Sequence, residues 1–298
     1  MQCNKCRKEA VLYQEYSGLH LCRQHFDADF ERKAKHEIRR HHWLEHDDHI
    51  AVALSGDRNS GALLYFLKKL TSNRPDIRIS AITVDEGISG YHQPAYAQEI
   101  ARAVGTDLIS ASCAEHFGVG LDEIARRKGF PLSCTYCRTI RNFLLDRMAA
   151  EQGVTKLAKG DDLNDCGVSV MKNILRGEVD RVARPEHPGY RKIPRICPFV
   201  AVPKKEVALY ADLHINGYNQ SQCPYHNEPF ENDVRTMLDD FTTRHPATGY
   251  ALLGLRNNLE GTYCMHPDTA HSCERCGRPS DGICMSCRII DEVIAGGA

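Results

Sequence analysis

The stretch IAVALSGDRNSG, residues 50–61, indicates the fold of this chain. Its beginning belongs to the apolar run HIAVALSG (49–56), which is typical of a buried parallel strand, and SGALLYFLKKL (60–70) is helical in pattern. A Gly-containing turn between a strand and a helix can direct backbone N–H groups at a phosphate. The turn is not a Walker loop, because the GKS/T ending is missing, so by itself it predicts a phosphate site only weakly.

The alternation of strands and helices continues beyond this turn. Three further apolar runs have the length of buried strands: IRISAITVDEG (77–87), DLISAS (107–112) and VTKLAKG (154–160). Three segments have the pattern of helices: AYAQEIARAVG (95–105), 138–150 and a stretch around 203–215. Residues 172–195 are rich in Pro and Arg and are expected to be irregular. We therefore predict an α/β fold built on a doubly wound parallel sheet.

Composition excludes several classes of protein. The chain has 298 residues, 42% of them hydrophobic, which is enough to bury a sizeable core. Its 38 Lys and Arg against 39 Asp and Glu exclude a uniformly basic nucleic-acid coat but leave room for local basic patches. No apolar run reaches the roughly 18 residues of a membrane span, and MQCNKCRKEA does not have the pattern of a signal peptide. A cytoplasmic protein with no membrane partner is expected.

The cysteines divide the chain into regions. In a reducing compartment, fourteen cysteines with several close pairs indicate metal or redox chemistry rather than disulfides. We predict an N-terminal zinc module at 1–27, a linker helix at 28–48, an α/β catalytic domain at 49–262 and a C-terminal zinc ribbon at 263–298. The 28–48 segment contains no Gly or Pro and is basic and rich in His.

Each terminal region contains four residues with the spacing of zinc ligands. The N-terminal set is Cys3, Cys6, Cys22 and His25, although His20 is an alternative to His25 as the fourth ligand. The C-terminal set is Cys273, Cys276, Cys284 and Cys287, for which two redox-active CxxC pairs are the alternative. Both sites are expected to be closed and structural.

The loop ALSGDRNSG resembles the SGGxDS loop of the PP-loop ATPases, and VDEGISGYH (84–92) resembles the DEGI-x-GYR segment of one branch. That branch is the tRNA 2-thiouridine synthetases of the TtuA/NcsA group, which are related to the TtcA-type thiolases. The likeness continues through four segments and both terminal modules: PLSCTYCRTIRN (131–142), GDDLND (160–165), PKKEVALYA (203–211) and CPY (223–225). It implies the PP-loop fold, which is like that of the adenine nucleotide alpha hydrolases, and ATP-dependent 2-thiolation of a tRNA uridine.

Three further cysteines have no obvious fourth partner. Taken alone, Cys134, Cys137 and Cys223 are compatible with a redox CxxC pair or a third zinc site. The resemblance implies instead that they hold a 4Fe–4S cluster with one iron left open to bind sulfide. The remaining cysteines are isolated in sequence and are expected to be small buried apolar residues: Cys113, Cys166, Cys197 and Cys264.

The resemblance also implies an ATP and Mg²⁺ site. Its expected nucleotide-binding residues are Ser55, Gly56, Asp57, Arg58, Asn59, Ser60, Asp85, Gly160 and Asn164. Its expected catalytic residues, beside the three cysteines, are Arg141 and Asp165. On this expectation, magnesium is held by Asp165 with Asp161 or Asp162.

This chain departs from the family pattern at the nucleotide site. Asp57 replaces the second Gly of the loop, and Asn59 replaces its Asp. Arg58 is expected to neutralise Asp57 and to contact phosphate. The family sequence GHNLDD is here GDDLND, and Arg141 stands where a Lys is usual. These changes keep two alternatives open: an ATP-independent iron–sulfur sulfurtransferase, and a non-catalytic zinc-ribbon RNA-binding protein.

The expected partners are tRNA, a sulfur donor (sulfide, persulfide or a sulfur-carrier protein) and a second copy of the chain in a homodimer. Residues 172–195 carry seven basic side chains and residues 31–42 carry five, which is enough to neutralise tRNA phosphates locally. The alternative for either stretch is an ordinary solvated surface.

Overall fold

A computed structural model describes residues 1–91, 93–129, 133–183, 193–260, 273–275 and 282–295. Its centre is a five-stranded sheet in the order β5-β4-β3-β6-β7, in which every neighbouring pair is parallel. The strands are β3 (His49–Ala53), β4 (Arg78–Asp85), β5 (Leu108–Ser112), β6 (Lys156–Ala158) and β7 (Arg195–Ile196). The predicted doubly wound α/β fold is confirmed. The strand order reverses beside β3, and ligands of such sheets bind where that reversal occurs.

Twelve helices and one hairpin surround the sheet in the described part of the chain. The hairpin consists of β1 (Leu12–Gln14) and β2 (Leu19–Leu21), which are antiparallel. The first six helices are α1 (Arg23–Arg40), α2 (Arg58–Leu70), α3 (Gln93–Val104), α4 (Cys113–Phe117), α5 (Leu121–Lys128) and α6 (Ser133–Glu151). The other six are α7 (Leu163–Leu175), α8 (Val179–Ala183), α9 (Lys204–His214), α10 (Pro229–Arg244), α11 (Thr248–Leu259) and α12 (Met285–Ala295). None of the helices described is long and apolar enough to cross a membrane.

The two faces of the sheet bury two separate cores. Successive residues of a strand point to opposite faces, so Ile50 and Val52 of β3 join one core and Ala51 joins the other. The first core contains aromatic side chains of α1, α2 and α9, such as Phe30, Phe66 and Tyr210. The second core contains side chains of α6 and α12, including Ile140, Leu144, Ile289 and Ile290.

The first helix differs from the predicted linker helix at both ends. It begins at Arg23, inside the predicted zinc module, and ends at Arg40. After the end of the helix, His42 and Asp47 have φ of 52° and 60°. This left-handed conformation is incompatible with a helix that continues through them. Absence of Gly and Pro predicted a helix here but did not mark where it stops.

The stretch 172–195, predicted to be irregular, is partly regular. It contains the end of α7, all of α8 and the start of β7. Residues 184–192 lie outside the described residues, and they include three of the seven basic positions: Arg184, Arg191 and Lys192.

A buried ionic network joins the N-terminal hairpin to the sheet domain. Lys33 of α1 pairs with Asp29 at 2.8 Å and with Glu206 of α9 at 2.6 Å. Gln14 of the hairpin donates to Asp29 at 2.8 Å and to Glu206 at 3.1 Å, and the Tyr16 hydroxyl donates to Glu206 at 2.8 Å. The hairpin, α1 and α9 are therefore packed as one unit.

Candidate functional site

The turn between β3 and α2 is built as a helix N-terminus. Asp57 is the N-cap of α2, and its carboxylate accepts the Ser60 backbone N–H at 2.8 Å. Gly56 has φ of +78°, which glycine adopts without strain. Its carbonyl accepts the Asn219 backbone N–H at 2.8 Å, which fixes the turn to the segment after α9.

The loop that starts α7 lies against this turn. A Cβ atom on Gly160 would lie 2.9 Å from the Asn59 carbonyl carbon and 3.0 Å from the Ser60 nitrogen, so only glycine fits. Asp162 caps α7 by accepting the N–H groups of Asn164 and Asp165. Burial, reinforced by the charge of Asp165, raises the pKa of Asp162 to about 7.

The two loops enclose a cavity of about 400 Å³ at the carboxyl ends of β3, β4 and β6. The predicted residues that line it are Ser55, Asp57, Asn59, Ser60, Gly160, Asp161, Asp165 and Arg141. Lys159, Arg138 and Arg195 add positive charge to its wall. Backbone N–H groups of a helix N-terminus, basic side chains and carboxylates suit a nucleotide phosphate with a divalent cation.

Four predicted nucleotide-binding residues do not line this cavity: Gly56, Arg58, Asp85 and Asn164. Arg58 and Asn164 line a separate cavity beside α9 and α10. Asn164 accepts the Lys204 backbone N–H at 3.1 Å. Asp85 is exposed, and its carboxylate accepts the Gly87 backbone N–H at 2.9 Å. The structure therefore does not bring Arg58 to the position from which it was expected to contact phosphate, because its side chain leaves α2 on another side.

Three thiols converge beside the nucleotide cavity. Cys134 and Cys137 lie one turn apart on α6, and the Cys134 thiol donates to the Tyr225 carbonyl at 3.2 Å while accepting the Asn227 N–H at 3.3 Å. Burial raises the pKa of Cys137 to about 12, with Arg141 opposing and Cys223 adding to the rise. Cys134, Cys137 and Cys223 therefore lie near one another, and Arg141, which acts on Cys137, also lines the cavity.

The spacing of these thiols suits a cluster better than a single ion. Among the described residues, only the two terminal groups bring three or more metal-binding atoms within 4.8 Å of one another, as a mononuclear zinc site requires. The three central sulfurs are spread more widely, and Cys137 and Cys223 pack against apolar core residues. A wide set of three thiols with an apolar wall fits a 4Fe–4S cluster.

Glu86 belongs to the site, although it was not among the predicted site residues and only the segment VDEGISGYH (84–92) that contains it was noted. Its side chain is only 6% exposed, lines the nucleotide cavity and lies 3.5 Å from Arg141. Burial raises the pKa of Glu86, and the Arg141 guanidinium opposes that rise. An acid directly after Asp85 at the end of an apolar strand was the available signal.

Both terminal ligand sets are brought together. Cys3, Cys6, Cys22 and His25 form one group, in which the His25 Nδ1 lies 3.3 Å from the Cys3 sulfur. His20, the alternative to His25, lies outside this group and stacks on Tyr13 with ring centroids 4.7 Å apart. At the other end, Cys273, Cys284 and Cys287 form a group, and Cys276 lies outside the described residues.

The isolated cysteines have ordinary structural roles where the structure describes them. Cys113 and Cys166 are buried as predicted, and Cys197 is half-buried. Cys264 lies outside the described residues.

The basic stretch at 31–42 is largely committed to ion pairs within the protein. Arg32 pairs with Asp29 and Lys35 with Glu31, and Lys33 is buried in the ionic network. Arg39 and Arg40 are exposed at the end of α1.

Comparison with known proteins gives matches along the whole chain. The family model described as "2-thiouridine synthetase TtuA, N-terminal LIM domain" matches residues 2–27, and the model described as "PP-loop domain" matches residues 26–239. The tRNA 2-thiolation protein NcsA of Haloferax volcanii is 30% identical over 320 residues, covering 99% of this chain and 100% of the relative.

Two further relatives differ in the uridine named in their descriptions. The tRNA-5-methyluridine(54) 2-sulfurtransferase of Pyrococcus horikoshii is 29% identical, covering 97% of this chain and 93% of the relative. The solved structure of the U34-tRNA thiolase NcsA from Methanococcus maripaludis with its [4Fe-4S] cluster is 28% identical. It superimposes with a TM-score of 0.84, covering 98% of this chain and 96% of that one.

Proposed function

We propose that this chain, which belongs to the PP-loop family, is a tRNA sulfurtransferase that replaces the C2 oxygen of a uridine by sulfur. The observation that carries the proposal is the position of the three thiols beside the nucleotide cavity, which is also lined by Arg141, the residue that acts on Cys137. An activating nucleotide and a sulfur-binding centre have to reach the same base, and this arrangement permits both.

ATP would bind in the cavity of about 400 Å³. Its phosphates would meet the first turn of α2 and the Ser55 and Ser60 hydroxyls, which lie 3.1 Å apart. Asp161 and Asp165 line the same cavity and would hold Mg²⁺. Transfer of the adenylyl group to the C2 oxygen releases pyrophosphate, and the oxygen leaves with AMP when sulfur replaces it.

Cys134, Cys137 and Cys223 would hold a 4Fe–4S cluster, as their spacing and surroundings support. Three protein ligands leave one iron without a protein ligand, and that iron can carry the sulfur atom that the reaction consumes. Arg141 acts on Cys137 and lies 3.5 Å from the carboxylate of Glu86, so its charge stabilises negative charge that develops near the base. As an arginine it does so without giving up a proton.

The terminal cysteine groups would each hold a structural zinc ion. Four ligands at the N-terminus form a closed set that leaves no position for substrate. The three described C-terminal ligands would be completed by Cys276. The two zinc sites would thus maintain the fold around the catalytic centre.

The substrate and partners are inferred from the chemistry and from the relatives. A tRNA uridine is the acceptor, and the descriptions of two relatives name position 34 or position 54. Sulfide, a persulfide or a sulfur-carrier protein would supply the sulfur, and a homodimer would be the working assembly.

One observation favours a second candidate, sulfur transfer without ATP. The Asp57 carboxylate accepts the Ser60 N–H at the N-terminus of α2, where phosphate would bind. Arg58 lines the cavity beside α9 and not the one proposed for ATP. Anaerobic incubation of the holoprotein with tRNA and sulfide, with and without Mg-ATP, separates the two. Thiolation that does not depend on ATP would support the second candidate.

Mass spectrometry of tRNA nucleosides from a deletion strain tests the proposed function. We expect loss of a 2-thiolated uridine, restoration by the wild-type gene and no restoration by Cys223→Ser. Cys166→Ser is the matched control, because Cys166 is buried away from the three thiols. An unchanged set of 2-thiolated nucleosides in the deletion strain would refute the proposal.

A further inference from the structure

Asn59 connects the two loops of the nucleotide cavity. Its Nδ2 group donates to the Gly160 carbonyl and to the Asp162 Oδ2, each at 3.1 Å. An amide nitrogen has two hydrogens, so both are used. Asp162 is 1% exposed, and its other oxygen, Oδ1, caps α7.

The two side chains touch across the two loops, so a donor on the first loop meets an acceptor on the loop that starts α7.

We propose that Asn59 and Asp162 are a positioning pair that holds the PP-loop against the N-terminus of α7. The proposal deepens the ATP-dependent function proposed above and rests on it for its effect on nucleotide binding.

The pair predicts an unusual pattern among four proteins. Asn59→Asp removes both donors and puts a carboxylate against Asp162 and a carbonyl oxygen, so it is strongly unfavourable. Asp162→Asn keeps a capping oxygen but turns an amide donor toward the Asn59 donor, which is less unfavourable. The double variant regains one donor and one acceptor, because the amide introduced at position 162 then donates to the carboxylate introduced at position 59.

Calorimetric titration of Mg-ATP into the four holoproteins tests the effect on the site. We expect Kd to rise about tenfold for Asn59→Asp and about threefold for Asp162→Asn, as the loss of one or two buried hydrogen bonds implies. The double variant should return to within about threefold of wild type. Asn142→Asp is the charge control, because Asn142 lines the cavity but does not contact the pair.

The effect of Asp162→Asn separates the proposal from simple electrostatics. If only charge mattered, Asp162→Asn would remove a negative charge and tighten Mg-ATP binding. The change in binding free energy of the double variant would then equal the sum of the changes in the two single variants. Either result would overturn the proposal.

Thermal unfolding of the same four proteins tests the pair without nucleotide. Each single substitution should lower the midpoint by about 2–5 °C, and the double variant should recover most of that loss. If the decreases in the unfolding midpoint of the two single variants add up in the double variant, the two side chains do not act as a pair. If wild type fails to bind Mg-ATP, the ATP step of the proposed function fails, while the unfolding cycle still decides whether the pair exists.

Discussion

Asp57 has a structural use that its sequence position did not suggest. From the family pattern, Asp57 was expected to add a negative charge beside the phosphate. In the structure it caps α2 by accepting the Ser60 N–H. The same carboxylate both stabilises the helix and competes with an anion for that N–H group.

Substitution of Asp57 should separate these two effects. Asp57→Ala should lower the free energy of unfolding by about 1 kcal/mol, whereas Asp57→Gly should cost only a few tenths, because glycine is tolerated at an N-cap. Both should tighten Mg-ATP binding, since the carboxylate no longer opposes phosphate. Urea unfolding and calorimetry measure the two effects, and equal stability losses for Ala and Gly would contradict the capping role.

Arg58 should matter little for nucleotide binding. Its side chain lines the cavity beside α9 and not the one proposed for ATP. We expect Arg58→Ala to change the Kd for Mg-ATP by less than about threefold. That outcome contrasts with the sequence-based expectation that Arg58 offsets Asp57. Loss of detectable heat on titration would restore the sequence-based interpretation.

At the scale of elements, β3 carries a buried histidine that makes stability depend on pH. His49 lies on β3 opposite β4, and its Nε2 is 2.9 Å from the Ser80 hydroxyl. Burial lowers the pKa of His49, and the positive charge of Arg78 lowers it further. The negative charge of Asp107 opposes this shift. The unfolded chain, with a His pKa near 6.5, therefore binds more protons than the folded protein just below that pH.

The free energy of unfolding should thus fall as pH drops from about 7.5 to 5.5, and His49→Asn should make that fall smaller. Urea unfolding of both proteins at the two pH values measures the difference, and the comparison cancels other titrating groups. An equally steep fall in the variant would show that His49 does not contribute.

The sequence predicted the order of elements better than their contacts. Apolar runs located β3, β4, β5 and β6. For the central strands β3 and β4 the reason is that a strand buried on both faces is apolar throughout. β7 was not predicted, because it has only two residues, Arg195–Ile196, at the end of a Pro- and Arg-rich stretch. Side-chain direction could not be read at all, which is why Arg58 and Asn164 were grouped with the residues of the phosphate-binding turn, and why Glu86 was missed.

At the scale of the whole molecule, the N-terminal cysteine module and the sheet domain share one ionic network. Lys33 and Glu206 have side chains 10% and 3% exposed, so their pairing lies in a poorly solvated region. The predicted module boundary at residue 27 separates the sequence motifs. It does not separate packed units, because α1 continues across it and packs with both the hairpin and α9.

Lys33→Ala should therefore destabilise the entire protein. It leaves the carboxylate of Glu206 buried without its cation, a change that costs about 3–5 kcal/mol, whereas Asp29 keeps its pair with Arg32. Lys35→Ala is the matched control on the same helix, because the Lys35–Glu31 pair is partly exposed and should be worth less than about 1 kcal/mol. Similar losses for the two variants in urea unfolding would contradict the role of the network.

The docking of α12 has a consequence for how the protein is made. Ile289, Ile290 and Val293 complete the core that encloses α6, and the Tyr136 hydroxyl on α6 donates to Glu292 at 2.6 Å. Residues 285–295 are synthesised long after the thiols of α6 have emerged from the ribosome. During translation those thiols lie on a helix whose packing is incomplete and stay open to oxidants and stray metals. Iron for the proposed cluster would therefore be delivered after synthesis of α12 is finished.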